Sequence, residues 1–254
     1  MLTLSLKNPH SVLAALRARP KDVLEIRVSQ ARESREVRDS EGRRDYWAEV
    51  LSVARKEGVR ITTSAKPAKG SETRIEDGRT STTEALVREK SSLALEQVLP
   101  DEAAGGEAGL WLAFDQLQDP HNVGSIFRTA AFFGVRGIIA TLDRSASLTS
   151  TVYDVASGGV EDVPFALVAN LQRAFEVSKD RGLWILGTSE SAKQSWSSVT
   201  RDRSWLLVLG NEEKGMRRLT TEACDMVCQI PPSGKGVGSL NVSVAAGILI
   251  SKLA

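Results

Sequence analysis

Six short apolar runs in the second half of the chain constrain its fold more strongly than any other feature. Each is nearly continuous in apolar residues, as strands buried on both faces are, and segments with helical spacing separate them. This alternation predicts an α/β fold built on a parallel sheet with helices on both faces. The runs are Leu110–Phe114, Gly137–Ala140, Phe165–Val168, Leu183–Gly187, Trp205–Leu209 and Met226–Ile230.

Four polar or glycine-rich stretches follow strands of this predicted sheet. They are Asp119–Gly124, Thr188–Ala192, Gly210–Gly215 and Ser233–Ser239. Ligands of open parallel sheets bind beyond the carboxyl ends of the strands, where these stretches would meet. The pattern therefore predicts a ligand-binding site that is assembled from loops.

The first half of the chain has the pattern of a smaller α/β unit. Residues 8–19 have helical spacing that Pro20 ends, and residues 23–28 form an apolar-rich strand. A second helix around Trp47 and a strand over residues 59–63 follow. Together these elements predict a separate unit before the large sheet.

The stretch 99–109 (LPDEAAGGEAG) has the composition of a linker. It divides the chain into two predicted domains, residues 1–98 and residues 110–254. Within the first domain, the polar stretch 64–82 is expected to be a mobile loop. Its basic side chains either track a phosphate backbone or form a plain surface.

The segment from Ile230 to Ala254 (IPPSGKGVGSLNVSVAAGILISKLA) joins a glycine-rich loop to an apolar helix. Glycines let the backbone approach a bound molecule closely, and a helix start offers unpaired N–H groups. Ser239 and Asn241 are residue types that cap helices, so capping alone is one explanation of both. The helix is apolar nearly all round, which predicts burial on more than one side.

Several familiar kinds of site do not fit the sequence. A Walker-type phosphate loop needs glycine where Gln229 stands, and the dinucleotide-binding spacing needs glycine where Ser239 stands. With only two histidines in the chain, neither a metal-ligand cluster nor a Ser/His/Asp set is evident. Cys224 and Cys228 are therefore expected to be packing residues.

Charge and hydropathy leave RNA binding open and argue against a membrane protein. The net charge is +1, but residues 1–100 carry 19 Lys and Arg against 15 Asp and Glu, and residues 101–254 carry 14 against 17. This mild asymmetry permits a first half that contacts RNA without requiring one. No run approaches the ~18 apolar residues of a membrane span and no signal peptide opens the sequence, so a cytoplasmic protein is expected.

Three stretches carry candidate functional residues, and each has a plain structural explanation as well. In residues 119–135 (DPHNVGSIFRTAAFFGV), Asn122 is a possible helix cap and Arg128 a solvated charge on the helix. In residues 209–216 (LGNEEKGM), Glu212 is a possible turn acid. The third stretch is the C-terminal segment.

Taken together and in this order, the three stretches resemble the SpoU (TrmH) family of RNA ribose 2′-O-methyltransferases, in the SPOUT superfamily. The family's first motif, an Asn followed six residues later by an Arg and a small pair, is matched by Asn122 and Arg128-Thr129-Ala130. Its G-x-E-x-x-G motif is matched by residues 210–215. Its third motif is matched by Ile230-Pro231, Gly234 and Ser239–Ala245, although the loop before Ser239 is one residue longer than the family pattern.

The resemblance covers residues 110–254 and implies a SPOUT domain with a trefoil knot, a homodimer, and S-adenosylmethionine as cofactor. Residues 6–98 are more weakly similar to the small RNA-binding domain that precedes this domain in many members. By the same resemblance, the backbone around four residues would hold the cofactor. These are Thr188, Gly210, Ile230 and Leu240.

The resemblance also implies a catalytic set, and no metal site is expected because the sequence has no cluster of metal ligands. Arginine is a poor general base because its pKa lies above about 12, so we expect Arg128 to grip the target phosphate and stabilise the developing alkoxide. Glu212 would orient Arg128 or the substrate hydroxyl. Asn122 and Asn241 would bind the target ribose or its phosphate, and Ser239 would lie beside the reacting methyl group.

The expected reaction is methylation of a ribose 2′-hydroxyl in ribosomal RNA, a substrate that rests on family analogy alone. The same chemistry on transfer RNA is the nearest alternative. Two further alternatives are a non-catalytic RNA-binding protein that keeps the fold, and a metabolite-binding α/β enzyme unrelated to RNA.

Overall fold

The structure is a computed structural model that describes residues 2–29, 45–64, 83–99, 108–142 and 147–254. It contains two β-sheets, one of four strands and one of seven. The smaller sheet is built by the N-terminal part of the chain and the larger by the remainder. In the part of the chain so described, no helix is long and apolar enough to cross a membrane.

The small sheet mixes parallel and antiparallel pairing. Its strands lie in the order β1-β4-β2-β3, with β2 parallel to β3 and β4 antiparallel to both β1 and β2. The strands are β1 (Thr3–Leu6), β2 (Val23–Ser29), β3 (Ile61–Ser64) and β4 (Glu84–Arg88), and the helices beside them are α1 (Pro9–Ala18) and α2 (Tyr46–Lys56).

Local sequence explains both helices of this unit. Asn8 caps α1 by accepting a hydrogen bond from the backbone of His10, and Asp45 caps α2 in the same way. Gly58, with φ of +71°, follows the end of α2, because glycine adopts this left-handed conformation freely. The predicted helices and the strands near 23–28 and 59–63 are confirmed, whereas β1 and β4 were not predicted as strands.

The large sheet is parallel throughout, as the apolar runs predict. Its order is β7-β6-β5-β10-β8-β11-β9. The strands are β5 (Leu110–Asp115), β6 (Gly137–Thr141), β7 (Phe165–Val168), β8 (Trp184–Thr188), β9 (Gln194–Ser195), β10 (Trp205–Gly210) and β11 (Met226–Gln229). All six predicted strands are present, and the two-residue strand β9 was not predicted.

Alternate side chains of the central strands enter two separate cores. Leu112 of β5 and Leu207 of β10 pack on one face, and Ala113 and Val208 pack on the other. The first face is covered by α4 (Pro120–Phe133), α5 (Ser150–Ala156), α6 (Gly159–Asp162) and α9 (Val242–Leu253), and the second by α3 (Leu95–Val98), α7 (Leu171–Asp180) and α8 (Arg218–Ala223). The sheet is therefore buried on both faces, which explains why its strands are almost entirely apolar.

The C-terminal helix α9 departs from its expected environment. Ala246, Leu249 and Ile250 are buried, but Val244 on the opposite side is 50% exposed. The prediction that this helix is buried on more than one side is therefore wrong for the single chain. An apolar helix face is left open to solvent.

The N-terminal unit packs directly against α5 and α6. The guanidinium of Arg19 makes two hydrogen bonds to the carboxylate of Glu161, at 2.7 and 2.9 Å, and the Glu161 side chain is only 2% exposed. The Lys90 ammonium donates to the carbonyl oxygens of Val160 and Glu161, and burial lowers the pKa of Lys90. These charge-assisted contacts, together with a shared apolar core, hold the unit against the large sheet.

Residues 100–107 of the expected linker and residues 65–82 of the expected loop lie outside the described residues. The domain limits at residues 98 and 110 therefore stay predictions.

Candidate functional site

Two adjoining cavities lie beyond the carboxyl ends of the central strands, as expected for a parallel sheet. The first has a volume of about 410 Å³ and the second about 500 Å³. Loops that follow β10 and β11 contribute to both. The residues common to the two linings are Asn211, Glu212, Glu213, Ser239, Leu240 and Val242.

All four residues expected at the cofactor line the first cavity. Thr188 ends β8 and Gly210 ends β10, while Ile230 follows β11 and Leu240 precedes α9. The structure thus brings together residues that are up to 52 positions apart in the sequence. Apolar side chains complete one side of the cavity, and these are Met216, Val242, Ala245 and Leu249.

Gly210 is required by the tight turn that follows it. Asn211 and Gly215 exchange two backbone hydrogen bonds, at 2.9 and 3.1 Å, which folds the loop back over the end of β10. A Cβ atom on Gly210 would lie 2.3 Å from the backbone nitrogen of Met216 and 2.4 Å from the carbonyl carbon of Gly215. Only glycine therefore fits this position without a shift of the loop.

Glu212 is the centre of the hydrogen bonds between the loops. Its carboxylate accepts from the backbone N–H groups of Gln118 and Asp119, at 3.3 and 3.1 Å. It also accepts from the side-chain amides of Asn122 and Asn211, at 3.2 and 3.3 Å. The loop after β10 is thereby fastened to the start of α4, across more than 90 residues of sequence.

The explanation of Asn122 as a helix cap is wrong. Asp119 caps α4 by accepting from the backbone of His121, and Pro120 occupies the first helical position, which proline favours. Asn122 instead lies in the first turn and is only 6% exposed. Its side chain is therefore free of capping and faces Glu212 and Asn241.

The carboxylate of Glu212 fixes the direction of this hydrogen-bond chain. A carboxylate only accepts, so Asn122 must present its NH₂ group to Glu212 and its amide oxygen to the next residue. Asn241 donates its own NH₂ group to that oxygen at 3.0 Å. The amide oxygen of Asn241 then accepts from the backbone of Ser243, so Asn241 is also the cap of α9.

The remaining two predicted catalytic residues differ in their placement. Ser239 is exposed, lines both cavities and is not a helix cap, because α9 begins at Val242. Arg128 lies on the exposed side of α4 and lines neither cavity. The structure brings together Asn122, Glu212, Ser239 and Asn241, and it leaves Arg128 apart from them.

Four residues that organise the site were not predicted. Asn211 donates to the carbonyl oxygen of Gln116 at 2.9 Å, and Gln116 has a φ of +65°, which is uncommon for a residue other than glycine. Asp115 is fully buried and holds Arg217. A carboxylate at the end of the apolar run LWLAFD was the available signal, because a buried charge needs a partner.

Both cysteines are packing residues, as predicted. Cys228 is 1% exposed and lines the first cavity, and Cys224 is partly buried. Burial raises the pKa of the Cys228 thiol to about 11 and that of Cys224 to about 12. Both thiols are therefore protonated at neutral pH and are poor nucleophiles.

A family model described as the SpoU rRNA Methylase family matches residues 109–251, more than half of the chain. The chain belongs to this family. A 23S rRNA (guanosine-2′-O-)-methyltransferase, RlmB, of Nitrosomonas europaea is 49% identical over 144 residues, which are 57% of this chain and 55% of that relative. The match thus spans about half of the relative's length. The RlmB of Neisseria meningitidis serogroup B is 36% identical over 248 residues, or 96% of this chain and 91% of that one.

Solved structures share the fold of this SpoU-family chain. The SpoU methyltransferase AviRb from Streptomyces viridochromogenes has a TM-score of 0.74 at 19% sequence identity, over 98% of this chain and 88% of that one. The same protein solved in complex with the cofactor AdoMet, which is S-adenosylmethionine, has a TM-score of 0.72 at 21% identity, with the same coverage of both chains. At this level of identity the likeness shows the fold.

Proposed function

We propose that the chain transfers the methyl group of S-adenosylmethionine to a ribose 2′-hydroxyl of ribosomal RNA. The observation that carries this proposal is the shared wall of the two cavities. Glu212, Ser239 and Leu240 face both cavities, so a methyl donor in one and a ribose in the other would meet at these residues. Methyl transfer requires such a meeting, with the reacting atoms about 3–3.5 Å apart.

The first cavity fits the chemistry of the proposed cofactor. Its volume of about 410 Å³ lies within the range of roughly 300–1,000 Å³ typical of cofactor pockets. The backbone at Gly210, Ile230 and Leu240 offers hydrogen-bonding groups for the edge of an adenine, and Leu249 offers an apolar surface for its face. When bound, S-adenosylmethionine supplies an activated methyl group on its sulfonium.

The chain's own residues would bind and orient the ribose. Asn122 and Asn241 lie against the second cavity in a hydrogen-bond chain whose direction Glu212 fixes. We propose that they hold the ribose or its phosphate, and that Ser239 lies beside the methyl group. Because Glu212 already accepts four hydrogen bonds, its role is to position the donors around the target hydroxyl.

We propose that Arg128 binds the target phosphate and stabilises the alkoxide as it forms. A guanidinium presents donors in a planar fork that matches phosphate oxygens, and it carries its charge at every relevant pH. Arg128 is exposed, and so it is accessible to RNA that lies over α4. Its position outside both cavities agrees with binding to the RNA rather than to the cofactor.

Ribosomal RNA is the proposed substrate because the curated relatives that match almost the whole chain are named as 23S rRNA methyltransferases. We propose that residues 1–98 form an RNA-binding domain and that residues 110–254 form the knotted catalytic domain, joined by a linker over 99–109. An RNA substrate of this kind gives the protein a cytoplasmic site of action.

The proposal is tested by methyl transfer from labelled S-adenosylmethionine to undermodified ribosomal and transfer RNA. Incorporation into ribosomal RNA, mapped to a 2′-oxygen, is the expected result. Incorporation into transfer RNA alone would keep the chemistry and contradict the substrate. Cofactor binding with no affinity for structured RNA would favour a metabolite-binding enzyme instead, and RNA binding without cofactor binding would favour a non-catalytic module.

We propose further that the chain forms a homodimer through the exposed face of α4 and α9. These neighbouring helices present Phe132, which is 83% exposed, and Val244, which is 50% exposed. Exposed apolar patches of this kind mark surfaces that bind another protein. Arg128 lies one turn before Phe132 on the same side of α4, so we place this arginine at the rim of the interface, where RNA can still reach it.

A Val244→Asp variant is expected to be monomeric, because a charge in the centre of an apolar interface is left without water or a partner. Sedimentation velocity of the wild type and the variant measures this. Leu219→Asp is the matched control, since Leu219 is 57% exposed on α8, against the other face of the sheet, and this variant should stay dimeric. A monomeric wild type, or a dimeric Val244→Asp variant, would contradict this interface.

A further inference from the structure

Asp115 is a buried carboxylate that touches neither cavity. It ends β5, its side chain is fully buried, and it is absent from both cavity linings. A buried charge is stable only when it is paired and hydrogen-bonded. Here the carboxylate accepts from the backbone N–H of Arg217 at 2.9 Å and from Nε of the same residue at 2.7 Å.

Arg217 directly follows the loop after β10. The loop, residues 211–216, lines the first cavity over its whole length, and α8 begins directly after Arg217. Because the backbone and the guanidinium of Arg217 bind the same carboxylate, both the position and the orientation of this residue are fixed relative to β5. The loop therefore cannot slide along the sheet while the pair is intact.

The neighbouring residue, Gln116, holds the other end of the same loop. Its carbonyl oxygen accepts from the side chain of Asn211, the first residue of the loop. Gln116 adopts the left-handed conformation that points its carbonyl at Asn211, a conformation that persists only where surrounding contacts enforce it. Asp115 and Gln116, adjacent at the end of β5, thus hold both ends of the loop. Gln116 binds Asn211 at its start, and Asp115 binds Arg217 directly after its end.

We propose that the Asp115–Arg217 ion pair positions the loop that carries Glu212, and that cofactor binding and methyl transfer depend on it although neither residue contacts a reactant. The loop between its two fixed ends projects Glu212 to the backbone of residues 118 and 119 and to Asn122. When the side chain of Arg217 no longer binds Asp115, the loop can move and Glu212 can lose its hydrogen bonds to these donors. The expected effect on cofactor binding and methyl transfer rests on the proposed function. The expected effect on the position of the loop does not.

The test compares Arg217→Ala with Arg218→Ala in the full-length chain. The two arginines are adjacent, but Arg218 is 77% exposed and pairs with Glu222 on the surface of α8, so its loss should be nearly silent. In ligand-free Arg217→Ala, amide hydrogen exchange over residues 211–216 should accelerate by about 10-fold or more, with β10 itself unchanged. The dissociation constant of S-adenosylmethionine should rise by about 10-fold and turnover should fall, while the KM for RNA stays within about two-fold.

Arg217→Lys should recover most of the cofactor affinity, because it restores the positive charge beside Asp115 that Arg217→Ala removes. If Arg217→Ala does not fold, the double variant Asp115→Asn, Arg217→Ala gives the same comparison without an unpaired buried charge. Loop exchange within two-fold of that in Arg218→Ala would overturn the proposal. Hydrogen exchange is measured without ligand and so does not depend on catalysis. Absence of methyl transfer would therefore contradict the proposed function, while the exchange data would still test whether the Asp115–Arg217 pair positions the loop.

Discussion

An Arg128→Ala variant is expected to lose about 100-fold or more in turnover on RNA, which is the usual effect of removing one charge-stabilising donor. The guanidinium is proposed to neutralise charge on the target phosphate and on the 2′-oxygen as its proton leaves. Cofactor affinity should be unchanged, because Arg128 lines neither cavity. The free energy of unfolding should change by less than about 0.5 kcal/mol, as is usual for an exposed residue.

Single-turnover kinetics and cofactor titration separate these effects, with Arg173→Ala as the matched control. Arg173 is an exposed arginine on α7, against the opposite face of the sheet. Its loss should leave turnover within about two-fold of the wild type, as for a surface substitution away from the site. Arg128→Lys should recover turnover only in part, because lysine lacks the bidentate fork. Near-normal turnover of Arg128→Ala would contradict the assignment.

A Gly210→Ala variant is expected to lose most of its affinity for S-adenosylmethionine. The new methyl group would collide with backbone atoms of Gly215 and Met216, and a backbone cannot move aside as a flexible side chain does. Relief of such overpacking typically costs 1–3 kcal/mol. If about 2 kcal/mol of this cost destabilises the cofactor complex relative to the free protein, the dissociation constant of S-adenosylmethionine rises by about 30-fold.

Calorimetric titration with the cofactor measures this loss, and thermal unfolding measures any accompanying loss of stability. Gly236→Ala is the control, because it makes the same substitution in the loop before α9 where no atom lies within 4 Å of the new methyl group. Its cofactor affinity should equal that of the wild type. If Gly210→Ala binds the cofactor within about three-fold of the wild type, the loop tolerates displacement and the argument for a rigid wall fails.

The large sheet was predictable because strands that are buried on both faces have nearly continuous runs of apolar residues. Runs such as Trp205–Leu209 have no polar residues, so they are recognisable without any knowledge of their neighbours. β9 has only the residues Gln194 and Ser195, which form no such run. Strand order was also out of reach, because the position of β4 between β1 and β2 depends on contacts about 60 to 80 residues apart.

The site was predictable in its membership but not in its connections. Asn122, Glu212 and Asn241 were identified as parts of separate motifs, and the structure shows that they form one chain of hydrogen bonds. Asn122 is a residue type that caps helices and lies near the start of α4, so a capping explanation was open. The Asp119-Pro120 pair just before it is the stronger start signal, and Asp119 is the actual cap. Arg128 could be named from its motif, but its side chain points to solvent in the single chain, so its role stays a prediction.

The shared wall of the two cavities also dictates when the protein can become active during its synthesis. One side of that wall comes from residues 211–213 and the other from residues 239–242, and α9 behind it is held by Lys252, which donates to the carbonyl oxygens of Trp196 and Ser197. Chains emerge from the ribosome N-terminal part first. The strands of the small sheet, which end at Arg88, have therefore all emerged well before the residues that complete the two cavities. If residues 1–98 bind RNA as proposed, a nascent chain can bind RNA before it can transfer a methyl group.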